Sequence, residues 1–162
     1  MAGLQVRCNE IPYPILVSVI GLFVFFAFNA RAADLTLAEQ AVVFKAAGFR
    51  EAKDGRHIRC EEEATLPSTS PGSIELDDLN NDGQPEAWVK ETNLYCYGEK
   101  YQTFVLLTKR SGRWRVILDD TGIPELDEKH RGWPDITVGG PGVGKFPVYR
   151  WNGKSYTYLL HR

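Results

Sequence analysis

From Leu37 the apolar positions recur at a helical period: Leu37, Ala41 and Phe44 fall on one face, and Val42 and Val43 widen the stripe. Thr36 followed three places later by Glu39 has the form of a capping box, and Gly48 supplies a stop, so a helix is predicted over about Leu37 to Ala47. From His57 onward the pattern shortens to runs of β-branched and aromatic residues divided by Gly, Pro, Asn and Asp. These predict strands over His57 to Glu62, Ser73 to Leu76, Glu86 to Tyr97, Tyr101 to Lys109, Arg113 to Leu118, Asp135 to Val138, Phe146 to Trp151 and Ser155 to Leu160. Trp151-Asn152-Gly153-Lys154 reads as a two-residue type I′ hairpin turn, and Tyr97-Gly98-Glu99-Lys100 and Arg110-Ser111-Gly112-Arg113 read as two more. Asp119 to Pro134 shows no clean period and is expected to be a long connection. The class this predicts is α+β, a mainly antiparallel sheet of hairpins with one N-terminal helix packed on it.

Before the helix the pattern is of another kind. Arg7 precedes an apolar run from Ile15 to Phe28, shorter than the roughly 20 residues of a spanning helix, and Ala30-Arg31-Ala32 has a small-x-small cleavage form. We read 1–33 as a signal peptide and 34–162 as a single mature domain, periplasmic or secreted. An uncleaved membrane anchor stays open, because the leading region is long and holds Glu10, Pro12 and Pro14. Of the three cysteines, Cys8 falls in the leader, which leaves Cys60 and Cys96 as an even pair. In an exported domain that pair is expected to form a disulfide, whose loop closure would stabilise the fold by about 4 kcal/mol in the chain-entropy model. Two buried thiols are the alternative. The formal charge of −2 and the absence of a basic run exclude an ordinary nucleic-acid surface.

The run Asp78-Leu79-Asn80-Asn81-Asp82-Gly83-Gln84-Pro85-Glu86 places oxygen-bearing side chains at its first, third, fifth and ninth positions around a glycine turn. Calcium takes about six to eight oxygen ligands, and a curled loop with this alternation can aim carboxylates and a backbone carbonyl at one centre. An EF-hand is excluded, since Val89 stands where its last ligand belongs and the loop exits into a strand pattern. These residues resemble the calcium loops of FG-GAP and VCBS-type repeats, as in integrin α-subunits. The resemblance implies Asp78, Asn80, Asp82 and Glu86 as side-chain ligands and the carbonyl of Gln84 as another, with calcium as the cofactor. It covers one loop, and a propeller needs at least about four blades, so it implies nothing about the whole fold. The alternative is a polar turn in which Asp78 and Asn80 cap backbone amides. Phe44 to Phe49, Thr121 to Glu125, Trp133 to Gly142 and Arg150 to Gly153 also look like segments of a group of small exported bacterial proteins. That likeness brings no activity with it.

Gly139 to Lys145 matches the first seven places of a phosphate-binding P-loop, but Phe146 replaces the hydroxyl residue and Pro147 blocks the helix that must follow. Nucleotide binding is therefore excluded. Acidic residues at Glu61 to Glu63 and from Asp119 to Glu128 could supply a carboxylate pair, and Trp133 and Trp151, at loop edges, are candidate contact residues. No nucleophile or zinc-protease motif is present. The sequence thus points to an exported, calcium-stabilised, non-catalytic binding domain, one that would bind or inhibit an envelope or extracellular protein. A cell-envelope glycan hydrolase working through carboxylates is the alternative, and a membrane association follows only if the N-terminal segment is retained.

Overall fold

The computed structural model describes residues 35–60, 70–98, 102–140 and 144–162. The expected leader, the Glu61–Glu63 cluster, the tip of the turn after Gly98 and the centre of the glycine-rich loop lie outside them. Among the described residues no helix is long and apolar enough to cross a membrane.

The first helix, α1 (Leu37–Ala46), begins at the predicted capping box: the Thr36 hydroxyl accepts from the Glu39 N–H, and the Glu39 carboxylate accepts from the Thr36 N–H at 3.2 Å. Its buried face is rotated from the predicted stripe. Val43, Phe44 and Ala47 are buried, whereas Leu37 is 83% exposed and Ala41 and Val42 face solvent. A short hairpin of β1 (Arg50–Glu51) and β2 (His57–Ile58) follows.

Two antiparallel four-stranded sheets form the rest. The middle sheet is β3 (Ser70–Asp77), β4 (Glu86–Thr92), β5 (Gln102–Arg110) and β6 (Arg113–Thr121), in that order. The outer sheet holds β7 (Ile123–His130), β8 (Trp133–Gly139), β9 (Pro147–Trp151) and β10 (Tyr156–His161), in the order β10-β9-β8-β7. The α+β expectation therefore holds at the coarse level, but the strands divide among three sheets, and a second helical turn, α2 (Leu94–Tyr97), is present. It interrupts the strand predicted over Glu86 to Tyr97, because the Asn93 side chain accepts from the Tyr95 and Cys96 N–H groups and starts a helix there.

The middle sheet is covered on both faces. Val89, Val105 and Leu107 pack beneath α1 with Val43, Phe44 and Phe49. Their neighbours Trp88, Phe104 and Leu106 point the other way, into a core shared with Ile136, Val138 and Tyr156 of the outer sheet. Burial on both faces explains the unbroken apolar run from Phe104 to Leu107, since alternation of hydrophobic and polar residues survives only where one face meets water.

The expected long connection from Asp119 to Pro134 is instead the end of β6, a corner, and all of β7. Gly122 makes the corner with φ +141°; a Cβ there would lie 2.5 Å from the Gly139 carbonyl oxygen, so only glycine lets the chain pass from one sheet to the other this closely. The turn at Ser111-Gly112 has both central residues at positive φ, as type I′ requires, and Arg131-Gly132 repeats that geometry without having been predicted. The Asn152-Gly153 turn differs from expectation. Trp151 pairs with Tyr156, leaving a four-residue connection in which the Asn152 side chain accepts from the Lys154 and Ser155 N–H groups.

Register shifts occur in β3 between Ser70 and Ser73, in β6 around Ile117, in β7 between Leu126 and Lys129, and in β10 between Tyr158 and Leu160. In each case the extra residue is on the outermost strand of its sheet.

Candidate functional site

The loop from Asp78 to Pro85 joins β3 to β4, with Asp77 and Glu86 paired at its base. Leu79 anchors it, being 3% exposed and part of the core between the two sheets. Asn81 at φ +61° and Gly83 at φ +83° curl the chain. The Asp78 carboxylate accepts from the Asp82 and Gly83 N–H groups at 3.1 and 2.9 Å, Asn80 Oδ1 accepts from the Asp82 N–H at 2.8 Å, and Asp82 Oδ1 accepts from the Gln84 N–H at 2.8 Å. Asn80 Nδ2 donates to Asp82 Oδ2 at 3.0 Å. Asp78 and Asn80 are half-buried, while Asp82 and Gln84 are exposed.

Glu86 differs from the rest. It is 1% exposed, its Oε1 accepts from the Thr108 hydroxyl at 2.9 Å, and its Oε2 accepts from the Leu79 N–H at 3.2 Å. Burial pushes its carboxyl up to about 7; the two hydrogen bonds oppose that rise and the negative charges of Asp82 and Asp78 add to it. Tyr156, buried in the adjoining core with its hydroxyl donating to the Pro134 carbonyl, is likewise raised, by burial first and then by the charges of Glu86 and Asp135.

The structure therefore brings Asp78, Asn80 and Asp82 onto one tight turn and holds Glu86 at its buried base. Among the described residues, no group of three or more His, Cys, Asp or Glu side chains is gathered closely enough to hold a metal ion. The donor chemistry nonetheless fits a hard cation. Every candidate side-chain ligand is an oxygen group, and a carboxylate oxygen that accepts one N–H retains a second lone pair. The same hydrogen bonds also satisfy the polar-turn alternative, because they cap backbone amides.

Cys60 and Cys96 are joined, with Cα atoms 6.2 Å apart. Beside them is a feature that sequence reasoning missed. The Glu91 carboxylate, 2% exposed, accepts from the Arg59 and Cys60 N–H groups and from the Tyr97 hydroxyl. Burial and this bond raise the Tyr97 phenol. Arg59 in turn holds Asp119 through two hydrogen bonds of 2.8 and 2.7 Å. A lone Glu within a strand pattern carries no sign of such a role.

Trp133 and Trp151 stack on each other with centroids 4.2 Å apart, pack against Tyr156, and have the Arg110 guanidinium 5.1 Å from the Trp151 ring. They are half-buried borders of the core. The acidic residues from Asp119 to Glu128 are spread along β6 and β7. Asp120 accepts from the Tyr149 hydroxyl at 2.6 Å, and burial first, then this bond, pushes that phenol up to about 12. Asp127 and Asp135 line one cleft of about 370 Å³, but Asp127 pairs with Arg162 and Asp135 with Arg150. Carboxylates fixed by arginine are held as structural anions, which disfavours their use in proton transfer.

No family model, curated protein or solved structure matches the chain.

Proposed function

We propose that this chain is an exported, calcium-stabilised binding domain, periplasmic or secreted and non-catalytic, that engages an envelope or extracellular protein. The observation that supports the calcium reading most directly is the Glu86 carboxyl, buried at the base of a loop that already carries Asp78 and Asp82. Ionising it there is unfavourable, and a cation would reverse that balance. Asp78, Asn80, Asp82, Glu86 and the Gln84 carbonyl would hold the ion, which would supply charge neutralisation and pin the hairpin. The non-catalytic part is supported by the arginine pairing of Asp127 and Asp135 and by the packing of Trp133 and Trp151, which commit two carboxylates of the cleft and both indoles to structural contacts.

Thermal unfolding of the purified protein with calcium and with a chelator tests the proposal. Calcium at about 100 times its dissociation constant should stabilise the fold by about 2.7 kcal/mol, and Asp82→Ala should abolish the shift. Identical midpoints with calcium and chelator would reduce the loop to a capped polar turn. Pulldowns from envelope fractions test the partner separately, and failure to retain any protein there would remove the binding role.

A further inference from the structure

We propose that Glu91 and Asn93 are positioning residues for the Cys60–Cys96 bond, holding the two cysteines face to face in the folded chain before oxidation joins them. The bond therefore closes on a finished fold and reopens without unfolding it. Neither residue belongs to the loop from Asp78 to Glu86, so no cation there is involved.

Glu91 lies on β4, an inner strand paired with β3 and β5, and Asn93 follows it in extended backbone at φ −144° and ψ 119°. Two residues apart along an extended chain, both side chains project to one face. Both are buried, at 2% and 3% exposed. Each accepts from the backbone N–H of a cysteine, Glu91 from Cys60 at 3.1 Å and Asn93 from Cys96 at 3.2 Å. Neighbouring bonds fix the same two segments. Glu91 accepts from the Arg59 N–H and from the Tyr97 hydroxyl, both at 2.9 Å, so one carboxylate spans the two sides of the bridge. Asn93 accepts from the Tyr95 N–H, and the Arg59 guanidinium ties its own segment to Asp119 on β6.

None of these bonds uses sulfur, so all of them are open to the reduced chain. Leaving a buried carboxylate or amide unpaired is costly, which keeps both segments docked when the sulfurs are thiols. The Cα atoms then stay near their bonded separation of 6.2 Å, inside the disulfide range of about 4.4–6.8 Å. Loop closure over 36 residues favours the bond in full only where the fold has already met that geometry. With oxidised glutathione as oxidant, one protein thiolate attacks its S–S bond, forming a mixed disulfide and releasing one glutathione. The second protein thiolate attacks the protein sulfur of that mixed disulfide and releases the other. The two cysteines give up two electrons and two protons, which the two glutathione sulfurs take up.

The equilibrium effective concentration of the pair in glutathione buffers tests this, read by thiol alkylation and mass on the full chain with Cys8→Ser in every sample. The folded parent should exceed the same protein in urea by about a thousandfold, the loop-closure gain expressed as a ratio. Glu91→Ala and Asn93→Ala should each lower the folded value about tenfold and leave the urea value unchanged. Asn93→Asp keeps the acceptor and should hold the parent value. Gly153→Ala, in the turn between β9 and β10, should leave it unchanged as well, which separates positioning from stability alone. Circular dichroism of the reduced samples identifies the folded variants. Glu91→Gln, which keeps one acceptor oxygen, should fall by less than Glu91→Ala and replaces it if that variant is unfolded. A parent value no higher in the fold than in urea overturns the proposal, as do folded Glu91 and Asn93→Ala variants at the parent value. An Asn93→Asp value as low as that of Asn93→Ala overturns the part assigned to Asn93.

Discussion

Glu86 makes stability depend on pH in a direction opposite to that of an ordinary surface carboxylate. Its ordinary value of 4.5 is raised to about 7 in the fold, so the unfolded chain ionises it first. The contribution is fully present below about 4.5 and is lost as pH rises through 7, a change on the order of 3 kcal/mol. Without calcium, wild-type protein should therefore gain stability between pH 8 and pH 5, and Glu86→Gln should flatten that dependence. The substitution should leave the protein more stable than wild type at pH 8, since the amide keeps the volume without the charge. A urea midpoint that rises with pH over this interval in the wild type would sink this account. At the same scale, legibility was uneven. The oxygen pattern of Asp78, Asn80, Asp82 and Glu86 is visible in the chain, but the burial of Glu86 depends on Thr108, a residue from another strand. Glu91 was illegible for the same reason, as its partners Arg59, Cys60 and Tyr97 come from a distant hairpin and from a helical turn that looked like strand.

Elements were legible where one local rule decided them. The capping box placed the start of α1, and the apolar run marked β5, whose two covered faces leave no polar alternation. β7 was missed because most of its side chains are exposed, so neither face carries the apolar stripe that marks a strand. Its start depends on Gly122, whose need for glycine is evident only when the opposing Gly139 carbonyl is in place. Gly122→Ala should cost about 2 kcal/mol or more, combining positive-φ strain with a backbone clash. Gly153→Ala is the control, at φ +99° with open space around its Cβ, and should cost about 1 kcal/mol. Equal urea midpoints for the two variants would show that the corner does not require a bare backbone. The rotation of α1 has a comparable origin, for Val43, Phe44 and Ala47 are buried against Val89, Val105 and Leu107, residues far along the chain.

The described residues form a middle sheet clad by a helix on one face and by a second sheet on the other, a layering no single segment announces. Two four-stranded sheets leave four outer strands, any of which could in principle accept a further strand. Sedimentation equilibrium should nevertheless give a monomer from micromolar to near-millimolar protein, and deletion of Leu159 should produce concentration-dependent association. A wild-type dimer joined through β10 would contradict this. The reason lies in the register shifts of β3, β6, β7 and β10, each of which puts an extra residue on the strand that faces outward. A fibril grows by offering every incoming chain a straight, repeating row of donors and acceptors, and here each such row is broken before it is long enough to copy. The same irregularities that make these strands hard to read in the sequence deny the outer strands of the two four-stranded sheets, among the described residues, the straight edge from which a cross-β fibre could start.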